Sequence, residues 1–356
     1  MKFSIKTRAA SLILAAAVLL GTAGCSAAKN ESGTSQAASS KTASSKAVLS
    51  TVAPSSSTTR STVRVLGLKG PTGLSMVKLM NDSELKRGKT IYAFALMDSP
   101  DAAAAKIVSG ETDVAAVPTN LAAALYNKTN GKVQLAAVTT LGVLSVVTNG
   151  EKVSSVQDLK GKSIVTSGKG AVPEYALNYI LKQNGIDPEK DVKIEYKAQH
   201  AETASALLSG KAKIAVLPEP FVTQVTVKNK NVKVALNLTE AWNKASKNAS
   251  VLTMGCLVVR KDFAEKNKAA FEDFLKDYKA SAEYTNSSVA DAAKLSEKYK
   301  IMNAAVAAKA IPNCSIVYMD GAEMKTKVPD FLKILYQANP KSVGGKLPGE
   351  DFYFKK

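Results

Sequence analysis

Residues 108–118 read Val-Ser-Gly-Glu-Thr-Asp-Val-Ala-Ala-Val-Pro, and residues 208–218 read Leu-Ser-Gly-Lys-Ala-Lys-Ile-Ala-Val-Leu-Pro. Each stretch contains a Ser-Gly pair, followed by an apolar run that ends at a proline. Gly110 and Gly210 suit the position just after a helix, where a positive φ is often required. The apolar runs predict strands that stop at the two prolines. The stretches therefore indicate a duplicated helix–strand unit.

The repeat extends upstream at the same offset of 100 residues, because Lys69-Gly70 recurs as Lys169-Gly170. A short apolar run that predicts a strand precedes each pair. Apolar residues at near-helical spacing follow, over residues 74–80 in the first copy and 175–181 in the second. A second strand and a second helix then lead into each Ser-Gly pair. Strands that alternate with helices favour two α/β lobes, each with a mainly parallel sheet and flanking helices.

The loops after these strands are the candidate ligand-binding segments, because ligands of parallel α/β sheets bind at the carboxyl ends of the strands. Two similar lobes that face each other place six such loops around one cleft. The alternative is a duplicated scaffold in which the glycine loops are purely structural. The candidate residues are Lys69, Gly70, Pro71, Thr72, Ser99, Thr119, Asn120, Thr140, Ser167, Gly168, Gly170 and Glu219.

The candidate residues divide by chemistry. Gly70 and Gly170 permit close backbone approach next to predicted helix N-termini, which favours an oxyanion. The hydroxyl and amide side chains add neutral hydrogen bonds, and Lys69 adds positive charge or is simply a solvated loop residue. Ser99 followed by Pro100 is also a good N-cap and first-turn pair, which explains both residues without a ligand.

Glu219 has the opposite preference. A carboxylate in the cleft suits an amine or amidine and opposes a sulfonate. The alternative is a hydrogen-bonded structural carboxylate that fixes the Pro-Glu-Pro loop, since buried charges are normally paired. The sequence therefore leaves the charge of the solute open.

The first sixty residues predict export. Lys2, Lys6 and Arg8 precede an apolar run over residues 9–20 that is too short to span a bilayer and is typical of a signal peptide. Residues 20–25, Leu-Gly-Thr-Ala-Gly-Cys, resemble a bacterial lipobox, which implies that Cys25 becomes a lipidated N-terminus; ordinary cleavage is the alternative. The Ser- and Thr-rich segment that follows predicts a disordered tether.

Composition excludes several classes of protein. The 356-residue chain has a formal net charge of +18, but its lysines are dispersed and form no nucleic-acid-binding motif. The surplus charge favours either attraction to anionic lipid or wall polymer, or simple solubility. Cys256 and Cys314 are interpreted as small buried hydrophobic residues rather than a disulfide.

Catalysis is also disfavoured. The chain has a single histidine, His200, so a Ser-His or Cys-His site depends on it entirely. Its position at a predicted helix start favours capping or simple exposure instead. No clustered zinc ligands and no Walker loop are present in the sequence. We therefore predict no enzyme activity, no cofactor and no metal.

Several motifs carry a resemblance to a known family. They are Val156-Gln157-Asp158-Leu159-Lys160-Gly161-Lys162, Leu217-Pro218-Glu219-Pro220 and the two Ser-Gly stretches. Together with the lipobox and the repeat, they resemble the substrate-binding lipoproteins of ABC importers, most of all the nitrate, sulfonate, taurine and thiamine-precursor group. The similarity covers most of residues 63–280 and is weaker from residue 302 onward.

The resemblance implies a two-lobed type II periplasmic-binding-protein fold with two crossing strands, near 144–148 and 251–259, as the hinge. It further implies a monomer on the outer face of the cell membrane, held by its lipid. This monomer captures a sulfonate, nitrate or pyrimidine-like solute by hinge closure and delivers it to a permease with its ATPase. A sensor or adhesin without a transport role is the alternative. The expected segments are signal peptide 1–24, lipidated cysteine and tether 25–60, first lobe 61–148, second lobe 149–252, and return to the first lobe with C-terminal helices 253–356.

Overall fold

The computed structural model describes residues 62–355. The expected signal peptide (1–24) and the tether with its lipidated Cys25 (25–60) lie outside the described residues, as do residues 61 and 356. Within the described part of the chain, no helix is long and apolar enough to span a membrane.

The described residues form two β-sheets, and each sheet belongs to one lobe. The first sheet has the order β11-β4-β10-β3-β1-β2, and the second has the order β7-β6-β8-β5-β9. The strands of the first sheet are β1 Thr62–Leu68, β2 Ile91–Met97, β3 Val114–Pro118, β4 Val133–Leu141, β10 Thr253–Arg260 and β11 Ile316–Met319. Those of the second are β5 Leu144–Asn149, β6 Ser163–Ser167, β7 Lys193–Lys197, β8 Ile214–Pro218 and β9 Val232–Asn237.

The two sheets follow the same plan. In each, the first strand pairs in parallel with the second and the third. An antiparallel strand then lies between the third and fourth: β10 between β3 and β4, and β5 between β8 and β9. Both sheets are therefore mixed, with a parallel half and an antiparallel half. The repeat at 100 residues is visible as repeated topology.

The antiparallel strands are where the chain changes lobes. β5 follows β4 of the first lobe but pairs in the second sheet, and β10 follows β9 of the second lobe but pairs in the first sheet. The segments expected at the crossings, 144–148 and 251–259, correspond to these two exchanged strands. The chain passes between the lobes just before each of them.

Helices cover both sheets. The first lobe carries α1 Pro71–Leu74, α2 Val77–Glu84, α3 Pro100–Ser109, α4 Thr119–Lys128, α9 Lys261–Lys266, α10 Lys268–Ser287, α11 Val289–Lys298 and α12 Ala304–Ala310. The second lobe carries α5 Val172–Gln183, α6 His200–Leu208, α7 Phe221–Lys228 and α8 Leu238–Ala245. The long α13 Gly321–Ala338 follows β11, and single 3₁₀ turns occupy 156–159, 311–313, 340–343 and 350–352.

Local sequence signals account for several element ends. Gly110 and Gly210 follow α3 and α6 with φ of 81° and 75°, as the Ser-Gly pairs predict. The single helix expected over residues 74–80 is wrong, because the chain breaks between α1 and α2. Ser75 holds this break: its hydroxyl donates to the carbonyl of Thr72 at 2.8 Å and lies 2.6 Å from the hydroxyl of Tyr278 in α10.

The largest cluster of buried hydrophobic residues includes side chains from both lobes and from α13. Trp242 of α8 is fully buried, packs 5.8 Å from Phe331 of α13, and donates its indole N–H to the carbonyl of Ser250. α13 therefore packs against the second lobe as well as the first. Cys256 and Cys314 are both buried and unpaired, which confirms their interpretation as small core residues.

Candidate functional site

A cavity of about 560 Å³ lies between the lobes. Loops at the carboxyl ends of β1, β2 and β3 line it from the first lobe, and the corresponding loops after β6, β7 and β8 line it from the second. Eleven of the twelve candidate residues contribute to its wall, namely Lys69, Gly70, Pro71, Thr72, Ser99, Asn120, Thr140, Ser167, Gly168, Gly170 and Glu219. The topology thus brings the repeated loops together around one cleft.

Thr119 is the candidate residue that the structure places elsewhere. Its side chain is fully buried and lies against the thiol of Cys256, behind the cavity wall. The neighbouring Asn120 does line the cavity. These two residues begin α4, and consecutive helical residues point in different directions, so only one of them reaches the cleft.

The wall of the first lobe is built where β3, β10 and β4 lie side by side. Gly255 of β10 pairs with Pro118 of β3 on one side and Thr140 of β4 on the other. A Cβ at Gly255 would lie 2.8 Å from the Thr72 methyl group and 3.2 Å from the Thr140 hydroxyl. Glycine therefore lets the loop that follows β1 pack closely against the sheet.

Two polar side chains in this wall keep unsatisfied oxygens. Asn120 donates its amide to the carbonyl of Ser342 at 3.2 Å, which leaves its Oδ1 as a buried acceptor without a partner. The Thr140 hydroxyl is likewise buried without a partner. Buried polar atoms in native proteins nearly always have a partner, so each of these two oxygens is open to a hydrogen bond from a ligand or a water that reaches it.

The polar groups at the rim of the first lobe are already engaged. The ammonium group of Lys69 lies 3.3 Å from the carboxylate of Asp98, so its charge is partly balanced. Ser99 accepts a hydrogen bond from the N–H of Ala102 at 3.3 Å, with Pro100 in the first turn of α3. This confirms the interpretation of Ser99 and Pro100 as a helix cap.

The groups in the glycine loop of the second lobe also have partners within the protein. Gly168 and Gly170 have φ of 78° and 77°, and the N–H of Gly170 donates to the carboxylate of Glu174 at 2.5 Å. The Lys169 ammonium group lies 5.8 Å from the ring centre of Tyr196. The backbone donor expected to cradle an oxyanion thus already binds a carboxylate of the protein itself.

Sequence reasoning missed His200 as a residue of the cleft. It neither caps α6, since Gln199 is the N-cap, nor is it fully exposed. Its Nδ1 lies 2.5 Å from the hydroxyl of Ser167, and its ring lies 5.6 Å from that of Phe221. Burial lowers the pKa of His200 to about 4, so the imidazole is neutral at pH 7.

A signal for this pair was present in the repeat. Ser167 ends β6 and His200 follows β7, and these two strands are parallel neighbours. Because the carboxyl ends of neighbouring parallel strands meet at one edge of the sheet, residues just beyond them come close together. The spacing alone did not reveal that the two side chains point at each other.

Glu219 occupies the junction of the second lobe with the hinge. Its side chain is 7% exposed, and one carboxylate oxygen accepts the N–H of Thr223 at 3.1 Å. Its own N–H donates to the carbonyl of Val143, between β4 and β5, at 2.9 Å. Burial raises the pKa of this carboxyl. No lysine or arginine of residues 62–355 forms an ion pair with it.

Comparison with known proteins places the chain among transport components. A family model described as the ABC transporter phosphonate periplasmic substrate-binding protein matches residues 89–310. The L-cystine-binding protein TcyK of Bacillus subtilis (strain 168) is 32% identical over 116 residues, which are 31% of this chain and 41% of that protein. The chain spans less than half the length of the curated relatives it matches.

Solved structures agree with the two-lobed fold. An ABC transporter protein from Parabacteroides distasonis is 26% identical with a TM-score of 0.69, over 83% of this chain and 99% of that one. The periplasmic aliphatic sulphonate binding protein SsuA from Escherichia coli is 16% identical with a TM-score of 0.66, over 80% of this chain and 96% of that one. At this low identity, the second likeness shows the fold alone.

Proposed function

We propose that this chain, which belongs to the family of ABC transporter phosphonate periplasmic substrate-binding proteins, captures a small organic or oxyanionic solute and delivers it to a permease. As a member of that family it is an extracytoplasmic solute-binding component of an ABC transporter. The identity of the solute, its mode of capture and the membrane anchor are the parts that we propose.

The cleft carries the proposal. The repeated loops of both lobes line a single cavity of about 560 Å³, and that volume suits a small molecule. The lobes are joined by two strand crossings, at residues 142–143 and just before β10. A cleft between two lobes with so few connections is the arrangement that hinge closure requires. The candidate residues of the cleft wall would then contact the solute from both sides.

The working cycle that we propose is capture, closure and docking. The solute binds in the open cleft, the lobes close over it, and the closed monomer docks on the permease of an importer. An associated ATPase supplies the energy. We propose no catalytic step in this cycle. His200 and Ser167 lie within hydrogen-bond distance, but no carboxylate of the described residues bonds to His200 to orient it as a base.

We also propose that Cys25 carries a lipid that holds the protein at the outer face of the cell membrane. The lipobox-like residues 20–25 support this proposal. Full-length protein expressed in a bacterium should partition with the membrane fraction and incorporate labelled palmitate. The Cys25→Ala variant should lose the label, and retention of the label in this variant would contradict the proposal.

A thermal-shift screen of the full chain tests the binding function. The panel contains sulfonates, phosphonates, nitrate, pyrimidines, amines and amino acids including L-cystine. A solute at 100 times its dissociation constant stabilises a protein by about 2.7 kcal/mol, which the melting curve resolves. At least one class should raise the melting temperature. No shift across the panel would favour a sensor or adhesin that recognises a macromolecule.

Small-angle scattering tests the closure step. Saturation with a solute identified in the screen should reduce the radius of gyration, because the lobes approach each other. An unchanged scattering curve at saturation would show that capture occurs without closure. It would leave the binding function itself standing.

A further inference from the structure

Glu219 is a buried carboxylate at the cleft without a cationic partner among the described residues. Thr223 donates to this carboxylate through its hydroxyl and through its backbone N–H at 3.1 Å, in the first turn of α7, where the helix N-terminus supplies only a partial positive charge. A buried carboxylate normally has either an opposite charge beside it or a proton of its own. Among residues 62–355, no lysine or arginine supplies this charge to Glu219, which leaves the position open to a cation that enters the cleft.

The balance of charges in the cavity wall also favours a cationic group on the solute. The chain as a whole has 48 lysines and arginines against 30 acidic residues. The wall, in contrast, holds three lysines and three acidic residues, namely Lys69, Lys169, Lys197, Asp98, Asp101 and Glu219. A protein with this basic excess, if it were built to capture a bare anion, would be expected to place more positive charge at the site. The balanced wall suits a solute that carries both signs.

Two backbone donors near the cleft support this interpretation. Ser99 accepts the N–H of Ala102 at the start of α3, and Glu174 accepts the N–H of Gly170 before α5. Both of these donors are thus satisfied within the protein. Among the buried side-chain atoms that line the cavity, those without partners are the acceptor oxygen of Asn120 and the hydroxyl of Thr140, in residues only 5% and 2% exposed. The Asn120 oxygen can only accept and the Thr140 hydroxyl can accept, so both atoms suit N–H donors of a ligand.

We infer that the captured solute is an organic molecule with a cationic nitrogen, an ammonium or amidinium group, that pairs with the Glu219 carboxylate at the hinge end of the cleft. This inference rests on the proposed binding function and narrows its solute class. The Asn120 and Thr140 oxygens line the same cavity from the first lobe and are acceptors for other N–H groups of the solute. Burial of Glu219 disfavours its charged form, and a bound cation restores it.

Matched pairs of solutes test the inference by isothermal titration calorimetry on the full chain. The pairs are taurine and ethanesulfonate, 2-aminoethylphosphonate and ethylphosphonate, and β-alanine and propionate. Each pair keeps the acidic group and differs by the amine. The amino member of the pair that fits should bind at least tenfold more tightly, as expected for hydrogen bonds to a charged group. Equal or tighter binding of the amine-free member would overturn the inference and leave the proposed function intact.

A conservative substitution separates a direct contact from a structural role. Glu219→Gln keeps the size of the side chain and removes the charge, so it should weaken the amino solute about tenfold or more and leave the amine-free solute within about twofold. Glu202→Gln is the matched control, because Glu202 is exposed on α6 and lies outside the cavity wall. Unchanged affinity of Glu219→Gln for the amino solute would overturn the inference. Absence of binding by every solute of all three pairs would instead count against the proposed function.

Discussion

In the first lobe, the cavity-lining side chains of Asn120 and Thr140 keep oxygens without a hydrogen-bond partner. In the second lobe, Ser167 and Gly170 each bond to a group of the same lobe. The two lobes share the order of five strands, and the first adds only the edge strand β11, so this difference comes from local contacts and not from topology. A solute that reaches these oxygens gains new hydrogen bonds in the first lobe, whereas at Ser167 and Gly170 it has to replace bonds that already exist. We expect the first lobe to receive the solute and the second to close over it.

The junction between the lobes gives the largest expected effect. Gly142 links β4 to β5, and a Cβ there would lie 2.1 Å from the hydroxyl oxygen of Thr239 and 3.1 Å from the Leu252 side chain. Gly142→Ala should therefore lower the free energy of unfolding by about 3 kcal/mol through overpacking. Urea denaturation followed by circular dichroism measures it.

Gly150 provides the control for this prediction. It has a φ of 77°, and a Cβ added there would have open space around it, so Gly150→Ala adds backbone strain without a clash. It should cost only about 1 kcal/mol. Equal losses for the two variants would show that α8 does not pack tightly on the hinge, and would weaken the idea that the lobes are closely coupled there.

The second prediction concerns pH and involves the second lobe alone, because His200 is the only histidine of the chain. Its pKa is about 4 in the folded protein and near 6.5 when unfolded. The unfolded state therefore binds more protons between these values, and the free energy of unfolding falls as the pH drops from about 6.5 to 4. The loss should be on the order of 2–3 kcal/mol.

A variant without the imidazole isolates this contribution from the carboxylates that titrate in the same range. His200→Gln keeps a polar side chain beside Ser167 but does not titrate. As the pH is lowered from about 6.5 to 4, the wild type should lose more free energy of unfolding than the variant does. Parallel pH profiles for the two proteins would show that the pKa of His200 is close to its ordinary value and that the ring is well hydrated.

The third prediction compares one hydroxyl from each lobe. Ser167→Ala removes the partner of the His200 ring and should lower the free energy of unfolding by about 1–2 kcal/mol. Thr140→Val removes a hydroxyl that has no partner and should change stability by less than about 0.5 kcal/mol, or increase it. Both are measured on solute-free protein. A large loss for Thr140→Val would mean that ordered water already satisfies its hydroxyl, and the difference between the lobes would disappear.

The smallest expected effect concerns the glycine loop of the second lobe. Glu174→Ala frees the N–H of Gly170 and removes one negative charge near the cleft. Affinity for an acidic solute should rise about two- to threefold, the size expected for an exposed, water-screened interaction. Calorimetry with the solute identified in the screen measures this change. A loss of affinity would show that Glu174 positions the loop for binding instead of blocking its donor.

Much of the architecture follows from local patterns in the sequence. The Ser-Gly pairs and the apolar runs after them predicted the ends of α3 and α6 and the strands β3 and β8, because glycine conformations and side-chain periodicity act over a few residues. The 100-residue offset then predicted two lobes with matching loops. Local patterns did not predict the break between α1 and α2, since it depends on a contact between Ser75 and Tyr278, which lie 203 residues apart in the chain.

The sequence by itself determined which loops meet at the cleft, because topology follows from the order of strands and helices. Only the tertiary structure decided which groups in those loops have partners within the protein and which remain available to a solute. It turned Thr119 toward Cys256, joined His200 to Ser167, and gave the Gly170 donor to Glu174. It also buried Glu219 without a counter-charge in the described chain. A hydrogen bond or an ion pair depends on positions within a few tenths of an ångström, which residue spacing along the chain does not specify.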